Sequence, residues 1–266
     1  MQPVLVVAVL WLLFAGTHVG LASTPVRGAL VARLGEKGFG ALFSGVAVAS
    51  FAALVSGYAA RRLVGPPGLD AGRLPAVRAF LMATIVAGVT LMFLMDYAKS
   101  PTALFDQPIR SPRGAERITR HPFFAGVTLL GLGHTLLATR LVGTMFFAGL
   151  AGLAVVGAWH QDRKLLARRG RSYAEYLAVT SAVPFVAILA GRQRMPRREI
   201  PPRAFAIGLG VALFLRTVHG SIFASGGAWV IGAVVVGAVV LALRAWRRAR
   251  RLRAAVTPAY PAVPAP

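Results

Sequence analysis

Two histidines, His18 and His134, lie inside stretches apolar enough to cross a bilayer. An imidazole removed from water must bind, pair or donate to something to offset its desolvation. Two chemistries follow: holding a metal, or a hydrogen bond between helices. His18 stands in Thr17-His18-Val19-Gly20-Leu21-Ala22-Ser23 and His134 in Gly131-Leu132-Gly133-His134-Thr135, with small neighbours that let a flat ligand approach the helix backbone. A third histidine, His121, opens an apolar stretch in Arg117-Ile118-Thr119-Arg120-His121-Pro122. Thirteen residues separate it from His134, about 20 Å of helix and nearly opposite faces, so these two cannot share one metal.

His18 and His134 pair better by depth. His18 precedes Arg27 by nine residues and His134 follows Pro122 by twelve, about 13 Å and about 18 Å of helix from landmarks expected at the same membrane face. The expected mismatch of about 5 Å is within the range that helix tilt absorbs. The chain has no cysteine, which excludes disulfides, thiolate metal sites and covalent haem attachment through Cys-x-x-Cys-His. His-Glu-x-x-His and paired-carboxylate patterns are also absent.

The elements that must position these residues are membrane helices. The 266 residues are 56% hydrophobic and only 14% charged, too little polar surface for a soluble globule of this size. Seven apolar stretches approach the ~20 residues of a spanning helix: Val4–Ser23, Phe39–Ala60, Leu74–Tyr97, Pro122–Thr139, Leu141–Trp159, Ala204–His219 and Ala228–Trp246. They are rich in Ala, Leu and Gly and lack strand alternation, so the expected fold is all-α, a polytopic membrane bundle of about seven transmembrane helices. Gly65 to Pro75 reads as a loop and Thr257 to Pro266 as a Pro/Ala-rich tail.

Thirty Lys and Arg face eight Asp and Glu, a formal net charge of +22. The cations fall between spans and after the last one, in Arg163-Lys164, Arg168 to Arg171, Arg192 to Arg198 and Arg244 to Arg253. That is the positive-inside pattern, which points to anionic lipid rather than nucleic acid and puts the carboxyl terminus in the cytoplasm. Leu21-Ala22-Ser23 is similar to a signal cleavage site, but no Lys or Arg precedes Arg27, so the basic n-region is missing and the first stretch is expected to stay as a span.

From Arg117 to Gln193 the chain carries Arg-Ile-Thr-Arg-His-Pro, Gly133-His134-Thr135, Trp159-His160-Gln161-Asp162-Arg163, Tyr173, Tyr176, Thr180-Ser181, Pro184-Phe185 and Gly191-Arg192-Gln193. This run resembles the carboxyl-terminal half of the 15-cis-zeta-carotene isomerases. His18 to Ser23, Arg33-Leu34-Gly35-Glu36 and Leu42-Phe43-Ser44 resemble the same enzymes and the wider NnrU-like membrane family. The resemblance implies a haem-binding membrane domain over residues 1–200, two further helices over 201–254 and the tail at 255–266. It implies non-covalent haem b, with the iron held by residues matching His18 and His134, and cis-to-trans isomerisation of a carotene drawn from the lipid. Gly131 and Gly133 would leave room for the porphyrin, and Arg27, Arg33, Arg117 or Arg120 would meet its propionates. The expected location is a bacterial inner membrane, and a redox partner is expected.

The isomerases carry a cysteine where this chain has Gly131, which removes cysteine-dependent ligand exchange. Other NnrU-like members suggest a haem or redox support role linked to denitrification or nitric oxide. Arg120-His121-Pro122 with Gly126, and Gly170 to Tyr176 followed by Pro184, also resemble membrane methyltransferases that use S-adenosylmethionine. In that reading Gln161 and Asp162 would hold the cofactor.

Overall fold

The computed structural model describes residues 1–98, 100–102 and 108–256; the expected tail at 257–266 lies outside the described residues. Within them the chain forms helices and no named strand: α1 Gln2–Ala22, α2 Thr24–Ala59, α3 Pro75–Ala98, α4 Ala115–Ile118, α5 Pro122–Leu137, α6 Leu141–Arg169, α7 Arg171–Val179, α8 Val186–Leu189, α9 Pro202–Thr217 and α10 Ala228–Val256. Prolines in the first turns of α1, α2, α5 and α9 start those helices where a missing N–H costs nothing. Gly170, at φ 54°, ends α6 and opens α7. Gly35, at φ 70°, breaks α2 between its basic first part and its apolar remainder.

Among the described residues, four helices are long and apolar enough to cross a membrane: α1, α2, α3 over Pro75–Leu94, and α6. The expectation of seven crossings is met only this far. Helices α5 and α9 have 16 residues each, about 24 Å against a hydrocarbon core of about 30 Å. The apolar part of α10, Ala228–Arg244, is also short. The Gly65–Pro75 loop is ordered by an antiparallel bridge between Pro67 and Arg140 and contains a 3-10 turn at Ala71–Arg73.

Helices α1 and α2 form an antiparallel hairpin. Val4, Val7 and Trp11 cluster with Leu54, Val55 and Tyr58, and Phe14 meets Phe51 while His18 meets Phe43. The hairpin packs on α6 through Trp11, Tyr58, Val142 and Phe146, and Tyr58 stacks on Phe146 at 4.0 Å. Helix α5 lies between α3 and α6, and glycine permits both approaches. A Cβ on Gly88 would stand 2.6 Å from the Gly126 carbonyl oxygen, and one on Gly131 would stand 2.9 Å from the Ala151 nitrogen. Backbones this close gain dispersion contacts that a larger residue would abolish. Helix α9 packs on α3, where Gly208 sits against Thr90.

Gly88→Val should therefore separate α3 from α5 and cost about 1–3 kcal/mol, read as a lower midpoint in thermal unfolding of the detergent-solubilised protein. Gly152→Ala, where an added Cβ meets nothing within 4 Å, should leave that midpoint unchanged.

Candidate functional site

His18 projects from the last turns of α1 between Phe14 and Phe43, at ring separations of 5.5 and 5.1 Å. It is half-buried, and its Nδ1 is buried without a hydrogen-bond partner. His134 stands near the end of α5, stacked on Phe147 of α6 at 4.5 Å. Its Nδ1–H donates to the Leu130 carbonyl at 2.9 Å, which leaves Nε2 as the lone-pair nitrogen. That is the tautomer a metal-binding histidine uses, its other ring nitrogen fixed by a backbone carbonyl.

A file of ring contacts links the two histidines: His18, Phe14, Trp11, Phe146, Phe147, His134, each step between 4.5 and 5.9 Å. The same file shows that they sit at different levels. His18 lies seven residues beyond Trp11 along α1, and Trp11 packs at Phe146 and Gly149, beside the Phe147 that carries His134. Seven residues are about 10 Å of helix, twice the mismatch that the distances to Arg27 and Pro122 suggested. The imidazole found beside His134 is His219, whose ring is 6.0 Å away and inclined by 12°. His219 belongs to the turn between α9 and α10, 85 residues from His134 in sequence, so no local pattern could have announced the contact.

Most of the other expected site residues are engaged within the protein itself. Gly131 faces Ala151 and Phe147 of α6, and Gly133 faces Ile85 and Leu81 of α3, so both glycines serve helix approach and leave no gap there for a porphyrin. Arg27 pairs with Glu36 at 2.7 Å and lies over the Phe39 ring. Arg33 is exposed. Arg117 holds Glu199 at 2.9 Å and donates to Gln193, and Arg120 holds Asp162. The physical reason is scarcity: with eight carboxylates against thirty cations, each acid collects the arginines near it.

The densest polar chemistry is the junction where α5 begins and α6 ends. Asp162 accepts from Arg120 at 2.7 to 3.2 Å, from His121 Nε2 at 2.8 Å and from the Tyr173 hydroxyl at 2.5 Å. His121 is 2% exposed, and its Nδ1 has no partner. Burial pushes the Tyr173 hydroxyl up, so it stays a donor. Beside this junction Glu116, fully buried, accepts from both Arg110 nitrogens and from the Arg113 amide, while burial pushes its own carboxyl up. Arg117, Glu199, Arg113, Leu94 and Ile200 line a cavity of about 480 Å³. Arg120 and Asp162 stood out in the sequence in other roles, as a propionate partner and as a cofactor holder in the methyltransferase reading; Glu116 and Glu199 did not stand out.

The Arg117 guanidinium and the Gly114 amide hold the Glu199 carboxyl down at about 2. A depressed carboxylate contributes stability that is complete above its unfolded value, about 4.5, and is lost as pH falls toward 2. Glu199→Gln should flatten the fall in thermal midpoint between about pH 5 and pH 2.5. Asp162→Ala, which strands Arg120 and His121, should cost about 3–5 kcal/mol in the same measurement.

Comparison with known proteins gives a family. The NnrU protein family matches residues 5–247. The 15-cis-zeta-carotene isomerase, chloroplastic, of Zea mays is 28% identical over 194 residues, 72% of this chain and 52% of the relative. Its counterpart in Arabidopsis thaliana is 29% identical over 197 residues, 73% and 53% of the two chains. The chain thus spans about half the length of these curated relatives. No solved structure matches. With the family match running from α1 into α10, the chain belongs to the NnrU family.

Proposed function

We propose that this NnrU-family membrane protein is a carotenoid cis–trans isomerase-like enzyme that holds haem b through His134 and His18, with the Arg-rich end of α10 on the cytoplasmic side of a bacterial inner membrane. The observation that carries the reading is His134: its Nδ1–H is fixed on Leu130, its ring is held on Phe147, and Nε2 is left as a donor to metal. The similarity to the two isomerases supports the reaction class, and the unpartnered Nδ1 of His18 supports a ligand for the second imidazole. Each histidine has a ring environment suited to a ligand of iron: His134 stacked on Phe147, and His18 between Phe14 and Phe43. When bound, the haem would supply an iron centre able to exchange electron density with a polyene and lower the barrier to rotation about its central double bond.

The chain's own residues do the rest. Half-buried Phe14, Phe43 and Phe147 give a rod-shaped apolar substrate a wall at the lipid boundary and keep water from it. Isomerisation transfers no net proton, so Asp162, His121 and Tyr173 act by fixing the start of the helix that carries His134. The methyltransferase reading asks Asp162 to hold a cofactor, but its carboxylate already accepts from Arg120, His121 and Tyr173.

Absorption spectra of the detergent-purified protein, oxidised and dithionite-reduced, test the proposal. A b-type spectrum near one haem per chain is expected, lost or altered in His134→Ala and His18→Ala and unchanged in His160→Ala. A normal bis-histidine spectrum in both variants would reject the ligand assignment. His219→Ala is no neutral control, because that ring lies against His134. Conversion of 9,15,9′-tri-cis-zeta-carotene by the haem-loaded protein then tests the reaction.

A further inference from the structure

We infer that the segment from Val183 to Leu189, the end of the α7–α8 loop together with α8, is a preformed wedge that inserts into the headgroup layer of an anionic membrane. This segment lies outside every apolar stretch of spanning length, yet it presents a run of exposed apolar side chains. Leu189 is 84% exposed, Val183 62% and Phe185 45%. Single exposed apolar residues are ordinary, but three within seven residues on a fixed frame form a patch.

The frame is fixed by the polar junction. The Ser181 carbonyl accepts from the Arg120 amide at 2.8 Å, the Ala182 carbonyl from the Thr119 hydroxyl at 2.7 Å, and the Phe185 amide donates to the Ile118 carbonyl at 2.8 Å. Phe185 itself is at φ 67°, a left-handed conformation that is strained for a bulky residue and persists only where the surroundings impose it. The structure thus holds an aromatic ring outward at a position where glycine would be unstrained.

The occupant follows from level and charge. Helix α7 doubles back on α6, with Tyr173 bonded to Asp162, one turn from the exposed Trp159 that carries Arg163 over its face at 4.7 Å. A tryptophan paired with arginine at the end of a spanning helix marks the headgroup level. The wedge is bonded at Ile118 to Arg120, immediately before α5, and so lies at that same level. In the sequence Arg168 and Arg171 precede it and Arg192, Arg194, Arg197 and Arg198 follow it, and apolar side chains among arginines are the composition of an interfacial segment that seeks anionic lipid.

The absence of cysteine makes the test direct. Val183→Cys, Phe185→Cys and Leu189→Cys, with Glu175→Cys on the polar side of α7 as reference, each offer one thiol for an environment-sensitive fluorophore in the full chain. The labelled proteins are reconstituted in vesicles of phosphatidylcholine and phosphatidylglycerol. Blue-shifted emission, quenching by spin-labelled lipid and several-fold weaker quenching by aqueous iodide than at position 175 are expected at all three sites. Iodide quenching equal to that at 175 overturns the inference. So does protection from iodide without quenching by lipid, which means that a protein surface such as a second copy covers the loop. Three separate exposed positions keep the test readable if one variant misfolds.

Discussion

A single carboxylate organises one end of this bundle. Asp162 near the end of α6 receives Arg120 and His121 from the start of α5 and Tyr173 from α7, so three helices converge on two oxygen atoms. Each donor would be expensive to bury alone. Together they leave the carboxylate satisfied and the helices fixed in rotation as well as position. Because α5 is a continuous helix from Pro122, setting its first turn sets the direction in which His134 points three turns later. The histidine that carries the proposed chemistry thus depends on a junction at the opposite end of its own helix.

The helical class was legible because it rests on composition, and the starts of α3 and α5 because proline marks them. Helix α2 was read too short. Its stretch from Thr24 to Lys37 is interrupted by Arg27, Arg33, Glu36 and Lys37, so a search for uncharged spans passes over it, although it is helical to a break at Gly35. The glycines of α5 were visible as small residues near His134, but sequence could not say whether the space they leave receives a ligand or another helix. It receives α3 and α6. The partners of Arg117 and the ring beside His134 lie more than 75 residues away, beyond any local pattern. The scarcity of acids was the available clue: in a chain of charge +22, each carboxylate is a place where the fold is tied.

The histidine pair shows how a depth estimate along separate helices goes astray. Counting from Arg27 and from Pro122 assumes that both landmarks lie at one level and that both helices run straight along the same axis. The intervening rings of Trp11, Phe146 and Phe147 add a second reference, from which His18 stands about two turns further along α1 than the ring contact with α6. What the two share is one aromatic file, half-buried at both ends and continuous through the core between α1 and α6.

The fastening of α5 has a consequence for how the chain is made. Arg117 is secured by Glu199, 82 residues further along, and Thr119 by Ala182. Synthesis proceeds from the amino terminus, so α1 through α6, with Asp162, emerge before Ala182 and Glu199, the other groups that fasten the approach to α5. Until residue 199 has left the ribosome, Arg117 lacks its carboxylate and the first turn of α5 lacks part of its clasp. The segment from Ala182 to Glu199 therefore acts as a late latch, and any cofactor held by His134 meets its finished site only after that latch has been translated.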